Sequence, residues 1–272
     1  MEKIKGILEE FKKLEEVEAI ALGGSRAIGC NDEKSDYDLY IYIKEEIKIN
    51  IRENIIKKYS SYEEINNSYW EIEDDFKLKD GTVVEIIYRS IDDFKKGLES
   101  VVIKGNPSSG YTTCMWNNLL NCKILFDKEG KLENLKKEFN IKYPKELRDN
   151  IIKKNRELLS GKIPSYYDQI KKAIERQDVV SINHRITEFL GSYFDIIFAF
   201  NYKTHPGEKR LVENCIKCCH KLPKNFENNI IDLLSISIEY IINKSNNINA
   251  LNILDSIIKN LDYLLNEEEF LI

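Results

Sequence analysis

The spacing of apolar residues gives the two halves of the chain different characters. In the first half, short apolar or alternating runs, which are typical of strands, are interleaved with helical patterns. Strands are predicted at Val17–Leu22, Tyr37–Ile43, Ser68–Lys79, Thr82–Arg89 and Cys122–Asp127. The third and fourth flank Asp80-Gly81, a strong signal for a hairpin turn. Helices are predicted at Glu2–Leu14, Ile47–Tyr59, Tyr111–Asn121 and Lys131–Phe139, with another starting at Ser90.

Beyond Pro144 the strand-like alternation stops and long helical periodicities take over. Helices are predicted near Lys145–Ser160, Pro164–Gln177, Val179–Tyr202, Gly207–Lys221, Asn225–Lys244 and Ile248–Asn266. Asp178 is the predicted N-cap of the third of these helices. A run of strands followed by a run of helices favours an α+β chain of two domains. We place the boundary between residues 143 and 144, so that residues 144–272 form an all-helical domain.

Composition limits the classes of protein that this chain can represent. Its 272 residues are 42% hydrophobic and 32% charged, which is typical of a globular protein. The longest unbroken apolar run, Ile196–Phe200, is far shorter than the ~20 residues of a membrane span. The charged N-terminus lacks the apolar stretch of a secretory signal, so we expect a cytoplasmic protein without a membrane partner. With 41 basic and 46 acidic residues, the net charge of −5 argues against a nucleic-acid partner.

Six cysteines are scattered along the chain, and reduced thiols are expected for a cytoplasmic protein. Cys215, Cys218, Cys219 and His220 offer four soft ligands within six residues, a density that is also seen in zinc sites. The stretch has a helical pattern, however, and no second ligand pair follows at the spacing of a zinc finger. We therefore interpret these thiols as small buried hydrophobic residues and expect no zinc there.

The most informative pattern joins a glycine turn to two acidic residues. The first predicted strand ends at Gly23-Gly24-Ser25, where glycine allows tight turns and close approach of a ligand to the backbone. The next strand carries Asp36 and Asp38, which the period of two places on one face. Backbone N–H groups after such a turn bind phosphate, and paired carboxylates hold Mg²⁺ beside phosphate oxygens. The pattern predicts a metal–phosphate site.

A third carboxylate strengthens this interpretation. Glu85 is the single acid in the apolar run Val83–Ile87, and a lone carboxylate there is costly unless it is paired or binds a metal. Taken separately, Gly-Gly-Ser is an ordinary turn and Asp-x-Asp on a strand is usually a solvated face. Their order and spacing, together with the third acid, favour function over these alternatives.

At these residues the chain resembles the DNA polymerase β-like nucleotidyltransferase superfamily. The superfamily's signature is Gly-Gly/Ser after an apolar residue, a spacer of about ten residues, Asp-x-Asp/Glu, and a third acid on a later strand. The matching residues are Gly24, Ser25, Asp36, Asp38 and Glu85. The third acid is often Asp in the superfamily and is Glu here. The chain most resembles the small-molecule and antibiotic (aminoglycoside or lincosamide) nucleotidyltransferases, which pair such a domain with a C-terminal helical bundle.

The resemblance implies a fold and a reaction. It implies a small mixed sheet with flanking helices over residues 1–143, and a substrate-binding role for residues 144–272. It also implies that two Mg²⁺ ions assist the transfer of a nucleoside monophosphate from an NTP to a hydroxyl, with release of pyrophosphate. The expected acceptor is a small hydroxylated molecule, for example an aminoglycoside-like antibiotic. We expect Asp36, Asp38 and Glu85 to be both metal ligands and catalytic residues, with Gly24 and Ser25 at the phosphates.

Further residues are weaker candidates. Arg26, beside the turn, is interpreted either as a nucleotide contact or as the partner of an acidic residue. Lys209 or Arg210, after a Pro-Gly loop, is expected to bind the NTP phosphates or to be merely solvated. Trp116 is expected to pack in the core rather than to contact a substrate. Glu85 is our predicted general base, and His205, the one histidine in a predicted loop, is an alternative.

Two other hypotheses concern the substrate and the reaction. The first is the same chemistry on a macromolecule such as tRNA or a protein, as in a toxin. The second is a non-catalytic or RNA-cleaving module in the helical half. The presence of all three acids disfavours a non-catalytic protein, and some helical partners of such domains carry an Arg-x4–6-His ribonuclease motif. Arg176 and His184 are separated by seven residues, which disfavours ribonuclease activity.

Overall fold

The computed structural model describes residues 1–29, 32, 35–69, 71–243 and 248–268. The chain forms two compact units. The first unit comprises Met1–Ser100 and Met115–Lys142, and the second comprises Val101–Cys114 and Tyr143–Ile272. The segment Val101–Cys114 thus belongs to the second unit although it precedes part of the first. The domain boundary at residues 143/144 stays a prediction.

A six-stranded mixed sheet forms the centre of the first unit. Its strands are β1 (Val17–Leu22), β2 (Tyr37–Ile43), β3 (Ser60–Asn67), β4 (Ile72–Leu78), β5 (Val83–Arg89) and β6 (Lys123–Asp127). Their order in the sheet is β3-β4-β5-β2-β1-β6. The β2–β5 pair is parallel, and the other four pairs are antiparallel. The sheet therefore places β2, which carries the Asp-x-Asp motif, directly beside β5, which carries Glu85.

Helices flank this sheet. They are α1 (Lys5–Phe11), α2 (Gly24–Ala27), α3 (Ile49–Ile56), α4 (Ile91–Leu98), α5 (Cys114–Asn121) and α6 (Lys131–Glu138). A 3₁₀ turn at Glu2–Ile4 precedes α1, and a π-helical turn at Glu99–Ile103 follows α4. The Ser90 side chain accepts a hydrogen bond from the Asp93 N–H, which confirms the predicted start of α4. The main core lies where one face of the sheet packs against α1 and α3.

One strand, β3, was not predicted. Its sequence, SSYEEINN, is polar because it lies at the edge of the sheet, where most of its side chains are exposed or half-buried. A polar edge strand has no apolar alternation to reveal it, and it discourages pairing with a second sheet. The neighbouring strand β4 begins at Ile72 rather than at the predicted Ser68.

The second unit is helical. Its helices are α7 (Lys145–Leu159), α8 (Tyr166–Glu175), α9 (Val179–Phe200), α10 (Leu211–Cys218), α11 (Phe226–Asn243) and α12 (Ile248–Asn266). Helix α9 lies at the centre, and its C-terminal half is buried around its circumference. Asp178 caps α9 by accepting from the Ser181 N–H, as predicted. A mixed sheet with flanking helices, followed by a helical region, confirms the predicted α+β fold class.

The cysteines of α10 occupy mainly buried positions. Cys215 is completely buried and Cys219 nearly so, while Cys218 is half-buried at 4.0 Å (Sγ–Sγ) from Cys219. The expectation that this stretch binds no zinc stays a prediction. Cys30 lies outside the described residues. No helix within the described ranges is long and apolar enough to cross a membrane.

A buried carboxylate ties the segment Val101–Cys114 to the helices of the second unit. Asp195 on α9 accepts hydrogen bonds from the Thr112 N–H (3.0 Å) and hydroxyl (2.6 Å). It also accepts one from the Asn155 side chain at 3.1 Å. Burial nevertheless raises the pKa of Asp195 to about 6, because the loss of hydration disfavours the charged form more than these hydrogen bonds favour it.

This pKa predicts a pH dependence of stability. The ordinary Asp pKa is about 3.9, so between about pH 4 and pH 6 the folded protein retains a proton that the unfolded chain has lost. The free energy of unfolding should therefore fall as the pH rises through this window. Urea denaturation across the window should show the fall in the wild type and a flatter profile in Asp195→Asn. The exposed Asp255→Asn is the control, and an equal flattening in that variant would contradict the assignment.

Candidate active site

The glycine turn after β1 lies directly against β2. The Gly23 N–H donates to the Asp38 carbonyl at 2.8 Å. Gly24 has a φ of +56°, and a Cβ atom there would lie 1.7 Å from Asp38 Oδ2. No other residue type has both the conformational freedom and the absence of a side chain that this contact requires. The Gly24 backbone therefore packs against the carboxylate of the Asp-x-Asp motif, and Ser25 follows in the first turn of α2.

The three predicted acidic residues come together. Asp36 directly precedes β2, Asp38 lies on β2, and Asp38 and Glu85 are partners in the parallel β2–β5 register. Each of the three offers a carboxylate oxygen, and these oxygens lie within 4.8 Å of one another. Among the described residues this is the one set of three or more His, Cys, Asp or Glu side chains with that proximity. All three are half-buried.

Three carboxylates this close suit a hard cation. Like charges at such distances repel each other, and the repulsion is stronger at half-buried positions than in water. Oxygen ligands from carboxylates are those that Mg²⁺ and Ca²⁺ prefer, whereas zinc and copper favour nitrogen and sulfur. The donor set therefore fits a magnesium-type ion, and a bound cation would relieve the repulsion.

Arg26 contacts the backbone just before β2 and the ring of Tyr37. Its Nε donates to the carbonyls of Ser35 (3.1 Å) and Asp36 (2.8 Å). Its guanidinium lies 4.1 Å from the centroid of the Tyr37 ring. These contacts hold the chain immediately before β2, so they position the Asp36 backbone. A nucleotide contact by Arg26 stays a prediction.

A fourth and a fifth carboxylate extend the site across the sheet. Asp75 on β4 is the register partner of Glu85, and Glu64 on β3 is the partner of Asp75. Register partners project from the same face of a sheet. Burial raises the pKa of the Asp75 carboxyl, and the nearby Glu64 adds to the rise, against a hydrogen bond from Asn67 that lowers it. We call Glu64, Asp75, Glu85 and Asp38 the acidic row.

The sequence analysis did not identify Glu64 and Asp75, the two outer residues of the acidic row. The consecutive acids Glu73, Asp74 and Asp75 show no alternation in the sequence, although in β4 Asp74 is buried and its two neighbours are half-buried. Only the strand register, however, reveals that Asp75 faces Glu85. Trp116 is buried and donates through Nε1 to the Phe139 carbonyl at 2.9 Å, which confirms its predicted place in the core.

Two candidates from the helical half lie in the second unit. Lys209 is exposed in the loop before α10, and its role at a nucleotide stays a prediction. His205 is completely buried, between the rings of Tyr111 and Phe198. Its Nδ1 accepts from the Gly207 N–H at 3.2 Å, and burial lowers its pKa to about 4. An enclosed imidazole of such low basicity is a poor general base, because it accepts a proton weakly and a substrate cannot reach it.

Family comparison agrees with the geometry of the first unit. The model of the nucleotidyltransferase domain family matches residues 4–106, which include the glycine turn and all three acidic residues. A family described as a domain of unknown function, DUF4037, matches residues 113–211. Residues 4–106 therefore form a domain of the nucleotidyltransferase family, in agreement with the resemblance to the DNA polymerase β-like superfamily.

Solved structures give only distant likenesses. A nucleotidyltransferase-like protein from Exiguobacterium sibiricum is 10% identical, with a TM-score of 0.43, over 98% of this chain and 74% of its own. An aminoglycoside 6-adenyltransferase from Bacillus subtilis is 10% identical (TM-score 0.33; 100% and 93% coverage). The Thermotoga maritima CCA-adding enzyme, complexed with tRNA, is 11% identical (TM-score 0.30; 97% and 81% coverage). No curated protein matches the chain. The assignment rests on the family model.

The contact of Gly24 with Asp38 predicts a specific effect of a small side chain. In Gly24→Ala the new Cβ should displace the Asp38 carboxylate, and the strained φ should lower the free energy of unfolding by about 1–3 kcal/mol. We expect Mn²⁺ affinity, measured by electron paramagnetic resonance, to fall at least tenfold. Gly29→Ala is the matched control, because Gly29 has a φ of +71° but open space around it. Equal Mn²⁺ affinities in the two variants would disprove the role of the contact.

Proposed function

We propose that this nucleotidyltransferase uses Mg²⁺ to transfer a nucleoside monophosphate from an NTP to a hydroxyl of a small molecule, releasing pyrophosphate. The observation that supports it is the set of three carboxylate oxygens within 4.8 Å, contributed by Asp36, Asp38 and Glu85 in a domain of this family. Carboxylates at such short distances and at half-buried positions repel one another, and a bound cation would offset that repulsion.

The proposed site residues have two kinds of role, namely the binding of metal and phosphates and the transfer of a proton. Asp36 and Asp38 hold the metal, with Glu85 as the third ligand of a site for two ions. When bound, the ions supply positive charge that neutralises the triphosphate and the leaving pyrophosphate. The backbone N–H groups after the glycine turn, at Gly24 and Ser25, face the phosphates, since N–H groups at the start of a helix attract anions.

Glu85 is also the proposed acceptor of the proton of the acceptor hydroxyl. That proton must leave as the hydroxyl oxygen bonds to the α-phosphorus and the bond to pyrophosphate breaks. A base for this step has to lie at the carboxylate set, and Glu85 is the member on a separate strand, with one methylene more reach than Asp. The burial of His205 removes the main alternative from the helical half.

The acidic row favours a small acceptor over a polynucleotide. Asp75 and Glu64 continue the negative charge away from Asp38 and Glu85 along the same face of the sheet. A nucleic acid would bring its phosphates against these carboxylates, whereas proteins bind nucleic acids through basic surfaces. A small hydroxylated molecule that carries amino groups, such as an aminoglycoside-like antibiotic, has the opposite and complementary charge.

The reaction is tested by pyrophosphate release from each of the four NTPs. Acceptors should include aminoglycosides, neutral sugars and tRNA. We expect release with a small acceptor in Mg²⁺, none in excess chelator, and none from Asp36→Asn, because that variant loses a metal ligand. The exposed Asp92→Asn should retain wild-type activity. Full activity of Asp36→Asn would refute the metal assignment, and release with tRNA alone would transfer the activity to a macromolecular substrate.

A second experiment concerns the base. Glu85→Gln keeps the shape of the side chain and removes its basicity, so kcat should fall about 10²–10⁴-fold, the usual contribution of a general base. Nucleotide affinity should change much less, as measured by calorimetry with a non-hydrolysable NTP. Glu15→Gln, at an exposed position, is the control. If Glu85→Gln stays within a few-fold of the wild-type kcat at saturating Mg²⁺ and acceptor, another residue is the base.

A further inference from the structure

A buried tyrosine lies on the face of the sheet that carries the acids. Tyr40 follows Asp38 by two positions on β2, so the two side chains project from the same face. Tyr40 is 8% exposed. The main core of the first unit includes its neighbours Leu39 and Ile41, which project from the opposite face, but not Tyr40. The ring of Tyr40 is therefore buried beside the proposed active site and not in that core.

The ring lies directly against the glycine turn. A Cβ atom at Gly23 would lie 2.3 Å from Tyr40 Cε2, 3.1 Å from Cζ and 3.2 Å from the hydroxyl oxygen. Gly23 has a φ of −107°, which any residue type can adopt, so its backbone conformation does not require glycine. The Tyr40 ring is thus the reason for glycine at this position. At Gly24, by contrast, the positive φ and the contact with Asp38 require it.

Two other side chains hold the ring in place. The Tyr40 hydroxyl accepts a hydrogen bond from Asn118 Nδ2 on α5 at 2.9 Å. The Arg89 guanidinium lies over the ring, 4.3 Å from its centroid. Arg89 is itself fixed, because its Nε and Nη2 each donate to the Glu71 carboxylate at 2.7 Å, and such two-pronged pairs set orientation as well as position. The ring therefore cannot easily move away from Gly23.

These contacts attach the glycine turn to β2 at two points. The Gly23 N–H donates to the Asp38 carbonyl, and the Gly23 Cα lies against the Tyr40 ring. Gly23 is also the N-cap of α2, so its position determines where the backbone N–H groups that follow it point. The carboxylates of Asp38 and Glu85, by contrast, are positioned by the strand register. A change at Tyr40 should therefore affect the turn more than the acids.

We propose that Tyr40 is a positioning residue for nucleotide binding. Its ring, held by Asn118 and Arg89, keeps the glycine turn in the geometry that receives the triphosphate. This inference rests on the proposed nucleotidyl transfer and assigns Tyr40 to the phosphate-binding part of that site. A tyrosine that served packing alone would contribute only to the free energy of unfolding. A positioning tyrosine also sets the affinity for NTP, and it leaves the affinity for the metal unchanged.

A double-mutant cycle of Gly23→Ala and Tyr40→Leu tests the contact. Leu keeps the inner part of the side chain but lacks the Cε, Cζ and hydroxyl atoms that lie against Gly23. Affinity for a non-hydrolysable NTP in Mg²⁺ is measured by calorimetry. We expect each single variant to bind about tenfold more weakly, and Gly23→Ala to add less than about twofold in the Tyr40→Leu background. If the two effects multiply instead, the ring and the turn act independently, and the proposal is wrong.

Matched variants separate positioning from loss of stability. Tyr40→Phe keeps the ring against Gly23 and should bind NTP within a few-fold of the wild type. Tyr88→Leu changes a tyrosine that is 7% exposed and belongs to the core on the opposite face. It should lower the free energy of unfolding, measured in urea, without weakening NTP binding. Gly97→Ala is the control for Gly23→Ala, because a Cβ at Gly97 meets open space. Mn²⁺ affinity, from electron paramagnetic resonance, should be equal in Tyr40→Leu and the wild type.

The outcomes distinguish this inference from the proposed function. Unchanged NTP affinity in Tyr40→Leu, an equal loss in Tyr88→Leu, or a parallel loss of Mn²⁺ affinity in Tyr40→Leu would overturn the role of Tyr40 alone. If Tyr40→Leu does not fold, equal NTP affinities of Gly23→Ala and Gly97→Ala would overturn it. A wild-type chain that binds none of the four NTPs would refute the proposed function, and this inference with it.

Discussion

The parallel pairing of β2 with β5 is the constraint on which the site depends. It makes Asp38 and Glu85 register partners, so two carboxylates that are 47 positions apart in the chain face the same space. Because side chains alternate along each strand, the same register sends Leu39 and Ile86 to the opposite, buried face. A slip of one residue would exchange the two sets, burying the acids and exposing the core. The hydrophobic core of the first unit therefore also fixes the geometry of the acids.

The elements around this pair hold the acids at short range. Gly24 approaches Asp38 more closely than any side chain would permit, and Arg26 holds the carbonyls on either side of the Ser35–Asp36 bond. Neither contact neutralises a carboxylate. The first brings the uncharged backbone of Gly24 close to Asp38, and the second places the Arg26 guanidinium on backbone carbonyls. Both contacts restrict the chain before and at the start of β2, which is what a preorganised metal site needs.

The sequence was informative where an apolar pattern and a chemical motif coincided. The bounds of β1 and β2 were predicted to the residue, because mainly apolar and aromatic runs end there at Gly-Gly and at polar residues. Where structure depends on distant partners, prediction failed. The edge strand β3 has no apolar face, and the position of Asp75 beside Glu85 follows only from the β4–β5 register. The contacts of Arg26 are with backbone carbonyls nine and ten positions further along the chain. His205 looked accessible because it lies in a loop, yet aromatic rings enclose it.

The buried and half-buried acidic residues of this protein differ in what surrounds them. Their surroundings distinguish the structural carboxylates from those proposed to be functional. Asp74 is enclosed by the Arg52 guanidinium, the Tyr88 hydroxyl and a backbone N–H, so its local network satisfies most of its oxygen lone pairs. Asp195 has hydroxyl, amide and N–H donors and no ion pair of its own in the described hydrogen-bond network, and its pKa is raised accordingly. Asp36, Asp38 and Glu85 are half-buried, and their carboxylate oxygens lie within 4.8 Å of one another. A bound cation would offset the repulsion between like charges at this distance, and this links the electrostatics of the three acids to the proposed metal-assisted transfer of a nucleoside monophosphate.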